Sequence, residues 1–310
     1  MDERMDLVRS VTDGRYVYLR NYYPHVSQAQ KVAYQFETPT TRVWNQLFKD
    51  GKTNAAQSIF WREPKDPEEL YDLQSDPDEV HNLAQSPEHK ATLDKLRAAQ
   101  RAHLAAVRDV CFLPEREIHT RSSDSTPYEI ARDNQKYPFE KILDAAELAS
   151  GLDSTATPEL MKIMGDTDSA VRFWAALGLL MRGEDGSRQG AAVLEKALSD
   201  DSINVRIAAA QALGQYGDAA SLPKALATLE TLAAPETNGV LTSMAALAAI
   251  EALGSKAASL HAKIAAMKPD GESPDGRYDS YVPRLMENIV PNTKAKAGKG
   301  KGKKKAKPVP

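Results

Sequence analysis

An internal repeat constrains this 310-residue chain more than any other feature. Asp166-Thr167-Asp168-Ser169-Ala170-Val171-Arg172-Phe173-Trp174-Ala175-Ala176-Leu177-Gly178 is one copy. Asp200-Asp201-Ser202-Ile203-Asn204-Val205-Arg206-Ile207-Ala208-Ala209-Ala210-Gln211-Ala212-Leu213-Gly214 is the next, and Val171-Arg172 and Val205-Arg206 lie 34 positions apart. A third, degraded copy ends in Ala245-Ala246-Leu247-Ala248-Ala249-Ile250-Glu251-Ala252-Leu253-Gly254. A period of this length holds two short helices, and one such pair cannot bury its apolar faces alone. The copies must therefore stack, which predicts an all-α solenoid over residues 138–290. The Ala-Ala pairs let neighbouring helices approach closely. The closing Leu-Gly suits a left-handed helix cap. Arg172 and Arg206 are expected to pair with an aspartate of the adjoining turn, and Phe173 and Trp174 to fill the core, rather than to contact a ligand.

The Asp…Val-Arg…Ala-Ala…Leu-Gly signature resembles HEAT repeats, including the short bacterial HEAT-like kind. The resemblance implies an α-solenoid with a surface for a possible protein partner. It implies nothing about chemistry.

Residues 1–119 mix strand and helix signals. Leu7–Val11 and Tyr16–Arg20 are β-prone runs separated by Asp13-Gly14, a pair suited to a tight hairpin turn. Tyr16, Tyr18 and Arg20 then share one face, with Val17 and Leu19 on the other. Glu69–Leu73 predicts a further strand ending near Asp76-Pro77. A long helix should follow, capped by Ser86, started by Pro87 and stopped by Pro114. Leu93, Leu96, Leu104, Val107 and Val110 form its apolar stripe. The expected fold class is thus α+β, a small antiparallel sheet with one packed helix whose other face needs a cover. After it come a polar linker at 120–137, the HEAT-like α-solenoid and a disordered basic tail at 291–310.

Glu69-Leu70-Tyr71-Asp72-Leu73-Gln74-Ser75-Asp76-Pro77-Asp78-Glu79-Val80-His81-Asn82-Leu83-Ala84 is similar, without a gap, to the Glu-Leu-Tyr-Asp-Leu-x-x-Asp-Pro-x-Glu-x-x-Asn-Leu-Ala segment near the C-terminus of type I sulfatases. Arg9-Ser10-Val11 and Arg15-Tyr16-x-Tyr18-Leu19-Arg20-Asn21 resemble the strand pair before it. The layout resembles the heparan N-sulfatase branch over residues 1 to about 119. The resemblance implies a small subdomain beside a larger α/β domain that hydrolyses sulfate esters or sulfamates. It also implies that Ca²⁺ and a formylglycine, made within Cys/Ser-x-Pro-Ser-Arg, serve that larger catalytic domain, which this sequence does not contain. Cys111-Phe112-Leu113-Pro114-Glu115-Arg116 is one residue too long for the motif and lies after the C-terminal segment, so Cys111 is read as a plain thiol. This chain is therefore expected to hold no cofactor and no metal site, and to be inactive by itself. Sulfuryl transfer needs a nucleophile, charge stabilisation and leaving-group protonation together.

What the subdomain could supply is substrate contact. Arg20, Asn21 and His25 follow a strand end, where a loop can reach a neighbouring site. The competing expectation is that Arg20 and His25 satisfy surface or interdomain hydrogen bonds. A sulfated substrate would be met only through the larger domain. The net charge of −3 divides into +8 on the lysines from Lys294 onward and −11 on the rest. The acidic body suits a basic partner. The tail holds no aromatic for base stacking, so nucleic acid is not expected. No apolar run in the sequence reads as a membrane span. Met1–Asp6 is acidic and lacks the look of an export signal, whereas the resembled family is usually exported, and localisation stays open between the two.

Overall fold

The computed structural model describes residues 3–291. The disordered tail expected at 291–310 therefore lies outside the described residues, apart from its first position. Strands β1 (Val8–Thr12), β2 (Tyr16–Asn21) and β3 (Glu68–Asp72) form one antiparallel sheet in that order. Gly14 turns the hairpin at φ +97°, and the Asp13 carboxylate accepts from the amides of Arg15 and Tyr16. Val11 and Leu70 lie opposite Tyr18 on its two sides.

Between β2 and β3 the chain makes a helical excursion that the sequence reading missed. Its longest piece is α1 (Pro39–Lys49). Trp44 stacks on Phe60 at 5.1 Å and meets Trp61 edge-on at 5.4 Å, while Phe48 closes the cluster on Trp61. Aromatics at 44 and 48, one helical turn apart after Thr38-Pro39, were the available signal.

Helix α2 (Lys90–Val107) packs across the sheet. Leu93 and Leu96 meet Tyr18, Leu70 and Ala84 in a small core. The buried Gln100 donates to the Arg9 carbonyl at 2.7 Å, fixing α2 to β1. The ends differ from expectation. Pro87–His89 is a 3₁₀ turn, and the Ser86 hydroxyl bonds the His89 ring instead of capping α2. The helix stops at Arg108, whose φ of +52° is left-handed, six residues before Pro114. Val107 is exposed and Val110 sits in a separate turn, because the sheet no longer faces the helix there. The sheet's other face is not bare: Tyr71 is buried, and Val17 and Leu19 are half-buried.

Residues 120–137 are anchored by a few buried side chains, while 123–129 are exposed. Helix α3 (Glu115–Arg121) runs into a turn capped by Thr126 and Glu129, and Ile130, Ala131 and Tyr137 are buried. The Tyr137 hydroxyl donates to the Asp109 carbonyl at 2.5 Å.

The repeats stack an inner row of α4 (Phe139–Ser150), α5 (Ser169–Met181), α6 (Ile203–Tyr216), α7 (Val240–Leu253) and α8 (Tyr281–Ile289), each against the next. Thr157–Ile163, Ala191–Ala197, Ser221–Ala233 and His261–Ala266 form an outer row. Ala175, Ala176, Ala209, Ala210 and Ala246 are fully buried where inner helices touch. Two of the three repeat glycines correct the expected caps. Gly178 and Gly214 lie inside α5 and α6, where Ala149 and Leu160, or Leu253, leave no room for a side chain. Only Gly254 ends a helix with positive φ, +55°. The continuous helical run Val240–Ala266 is apolar and long enough to cross a membrane. However, it breaks at Gly254, and 56% of its most apolar stretch is buried in the solenoid, which marks it as core.

One hydrophobic core joins the two halves. Tyr22 meets Phe112 edge-on at 4.8 Å, Tyr23 meets Trp174 at 5.4 Å, and the Trp174 indole donates to the Phe112 carbonyl at 2.8 Å. Phe173 and Trp174 are core residues, and Trp174 is also the contact between halves.

Candidate functional site

The motif over residues 69–84 builds a corner in which Asp72, Asp76 and Asn82 bond the chain itself, while Gln74, Asp78, Glu79 and His81 are exposed. Arg15 holds Asp72 through both carboxylate oxygens at 3.0 and 2.7 Å, which draws that carboxyl down to about 2. Asp76 Oδ2 accepts from the amides of Val80 and His81. Asn82 accepts from the amides of Leu70 and Ala84 and donates to the Glu68 carbonyl and Asp66. These residues spend their hydrogen-bonding capacity on the chain itself, so this motif is a folding device.

The three expected substrate contacts point different ways. Arg20 reaches the end of α4, donating to the Glu147 carbonyl at 3.0 Å and the Ser150 hydroxyl at 2.9 Å, with Glu68 at 3.6 Å. These are bonds between the halves. Asn21 is fully buried and donates to the Asp66 carbonyl and to Glu69 Oε1 at 2.5 Å, which also holds the sheet together. His25 alone lines a cavity.

That cavity is a groove of about 630 Å³ between the early loops and the inner face of α5, α6 and α7. Its floor is apolar, with Phe173, Leu177, Ile207, Ala245 and Ala249 among its residues. At the rim Arg4 pairs with Glu251 at 2.6 Å and donates to the Lys31 carbonyl, closing the N-terminal segment onto α7. The half-buried His25 keeps Nδ1 covered and without a hydrogen-bond partner among the described residues. Burial, and then the positive Lys65 nearby, pushes its pKa down to about 4. Lys65 is itself buried and paired with Asp6 at 2.5 Å. At neutral pH the imidazole is thus uncharged. It can donate one hydrogen bond but offers no positive charge to a sulfate.

Among the described residues no three His, Cys, Asp or Glu side chains converge to hold a metal ion. They do not assemble a donor set for the Ca²⁺ that the sulfatase resemblance implies, since a hard cation needs several converging oxygens. The Cys111 thiol is raised by burial of its surroundings and by Asp109, the opposite of an activated nucleophile.

Along one edge, α3 is tied to the starts of the inner helices. Glu117 accepts from the Ser169 and Ser202 hydroxyls at 2.9 and 3.1 Å, and Arg121 bridges Glu117 and Asp168. Arg172 grips Asp200 with two hydrogen bonds, adds Asp201, and donates to the carbonyls of Asp166 and Thr167. Its role is the stack-holding one expected of it.

Comparison with known proteins finds two partial matches. The family model described as HEAT repeats matches residues 157–254. The chain is also 38% identical over 117 residues to a protein named Ulvan-active sulfatase from Formosa agariphila, a stretch covering 38% of this chain and 20% of that protein. The chain thus spans about a fifth of the length of the curated relative it matches. No solved structure matches it. The chain carries HEAT repeats and is in part homologous to a sulfatase.

Proposed function

We propose that residues 1–119 serve as the C-terminal subdomain of a sulfatase, a hydrolase of sulfate esters or sulfamates, and that the HEAT repeats extend it as a firmly joined platform. The observation carrying this reading is the gap-free 69–84 motif, whose Asp72, Asp76 and Asn82 hold the corner that follows β3. The shared core around Trp174 supports a single unit rather than two tethered ones. In this reading the nucleophile and the metal belong to a catalytic domain outside this sequence, and this chain alone does not turn over. The relative's name makes ulvan the first polymer to test with an assembled enzyme. The direct test is cleavage of an aryl sulfate by the purified chain with Ca²⁺. The expected rate is that of the no-enzyme control, and clear turnover would refute the claim.

A second reading, an interaction module without enzymatic role, is favoured by the groove beside α5–α7. The mass of the native species separates the two. A protein well above 33.9 kDa that carries a sulfatase catalytic domain supports the first reading. A native species at 33.9 kDa with no sulfatase domain bound to it supports the second.

A further inference from the structure

The ion-pair ladder along the repeats breaks off one step early. Arg121 takes Asp168 at 2.9 and 3.0 Å, and Arg172 takes Asp200 at 2.8 and 2.7 Å with Asp201 beside it. The Arg172 partners lie 28 and 29 positions further along the chain. Arg206 holds the place of Arg172 in the next copy, and the same steps lead from it to Ala234 and Pro235, which carry no charge. The acid of that turn, Glu236, is taken by Lys268 at 2.9 Å. The Arg206 side chain is half-buried and makes no hydrogen bond or ion pair among the described residues, and its Nε is covered.

A second arginine serves the same corner. Arg116 of α3 donates to the Asn238 carbonyl at 3.4 Å and has no carboxylate partner among the described residues. Its neighbour Glu117 bonds Ser202, one turn before Arg206. Arg116 thus touches this turn directly, and the repeat spacing assigns Arg206 to it, where the counterpart one unit earlier offers Asp200 and Asp201.

We propose that Arg206, Arg116 and the turn Ala234–Asn238 form a docking point for an acidic segment of a protein partner. An Asp or Glu of the partner would take the role that Asp200 plays one unit earlier. A half-buried guanidinium without a counter-ion has lost hydration and gained nothing in return. A carboxylate restores the balance through charge-assisted hydrogen bonds, and with Nε covered the fork on offer is the two Nη groups. A sulfated polymer would also be drawn to two arginines, but the ladder's own partner is a carboxylate on a peptide, and that favours the peptide. The inference is independent of the sulfatase reading.

The test uses the full chain at near-physiological salt and a fluorescent peptide copying Leu198–Ile203, the acidic turn that Arg172 holds. Anisotropy should show saturable binding to the wild type. Arg206→Gln should weaken it about tenfold, the scale of one lost charge-assisted contact, and Arg116→Gln somewhat less. Ala234→Asp, which supplies the carboxylate from within, should also abolish peptide binding while raising the melting temperature. Equal affinity for all four proteins, or no saturable binding by the wild type, would overturn the proposal. So would heparin binding that is lost in Arg206→Gln and Ala234→Asp while the peptide does not bind at all.

Discussion

Replacing Gly178 by alanine separates two roles for a repeat glycine. Inside an exposed helix the change would stabilise by about 1 kcal/mol, because glycine loses more backbone entropy on folding. Here the new Cβ would sit 2.9 Å from Ala149 Cβ, 2.9 Å from Leu160 Cδ2 and 3.0 Å from Ala149 Cα. Carbon atoms prefer roughly 3.5–4.0 Å, so several tenths of an ångström must be found on more than one side. One of those atoms is backbone of α4, whose carbonyls at Leu148 and Ala149 are held by Arg182. Overpacking costs about 1–3 kcal/mol, and with a backbone atom among the contacts the upper part of that range, about 2–3 kcal/mol, applies, so subtracting the propensity gain of about 1 kcal/mol leaves a net loss of about 1–2 kcal/mol. Gly214→Ala is the internal comparison. The three atoms nearest its Cβ all belong to the Leu253 side chain, with Cδ2 at 2.5 Å, and none is backbone, so the strain can be relieved by a shift of that one side chain. Its net effect should lie within about 1 kcal/mol. Urea denaturation followed by circular dichroism reads both. A Gly178→Ala protein as stable as the wild type, or a costlier Gly214→Ala, would refute the close-contact reasoning.

Four further outcomes are expected. Arg172→Met should cost about 3–5 kcal/mol, because Asp200 and two carbonyls lose their partner in a nearly buried site. Asp201→Asn, at an acid 88% exposed, should change stability by less than about 0.5 kcal/mol in the same melts. The lowered pKa of His25 means that between about pH 6.5 and 4 the unfolded chain binds a proton that the folded chain refuses. Its stabilising effect is complete above the unfolded value and is lost as the pH falls. From pH 6.5 to 5 the wild type should lose roughly 1–2 kcal/mol that His25→Gln does not lose, and parallel profiles would contradict this. Trp174→Phe removes the bond to the Phe112 carbonyl and should cost about 1–3 kcal/mol; an unchanged unfolding midpoint would remove Trp174 from the join between the halves.

The candidate site was only partly legible in the sequence. Arg20 and Asn21 do not follow the strand end as expected but are the last two residues of β2, and whether a polar side chain there meets a ligand or another helix depends on what packs opposite. For Arg20 that is the end of α4, more than a hundred residues away. His25 lines a groove because the repeats fold back over the early loops, and nothing near it in sequence signals this. The helical excursion around Trp44 was missed for a related reason: its aromatics pack mainly on one another, so no long periodic stripe marks them.

Local, periodic chemistry was settled within the chain's own order. The hairpin at Asp13-Gly14, the corner at residues 69–84, the stacking period of 34 and the grip of Arg172 on its neighbouring turn all use partners at short or regular spacing. Those partners can be counted along a sequence. Only the tertiary structure decided that residues 120–137 are anchored through Ile130, Ala131 and Tyr137 and that Gly178 is a contact rather than a cap. It alone showed that Trp174 fuses the two halves into one core. Each of these depends on which surfaces meet across long separations, where burial is set by shape and volume in three dimensions and leaves no period to read.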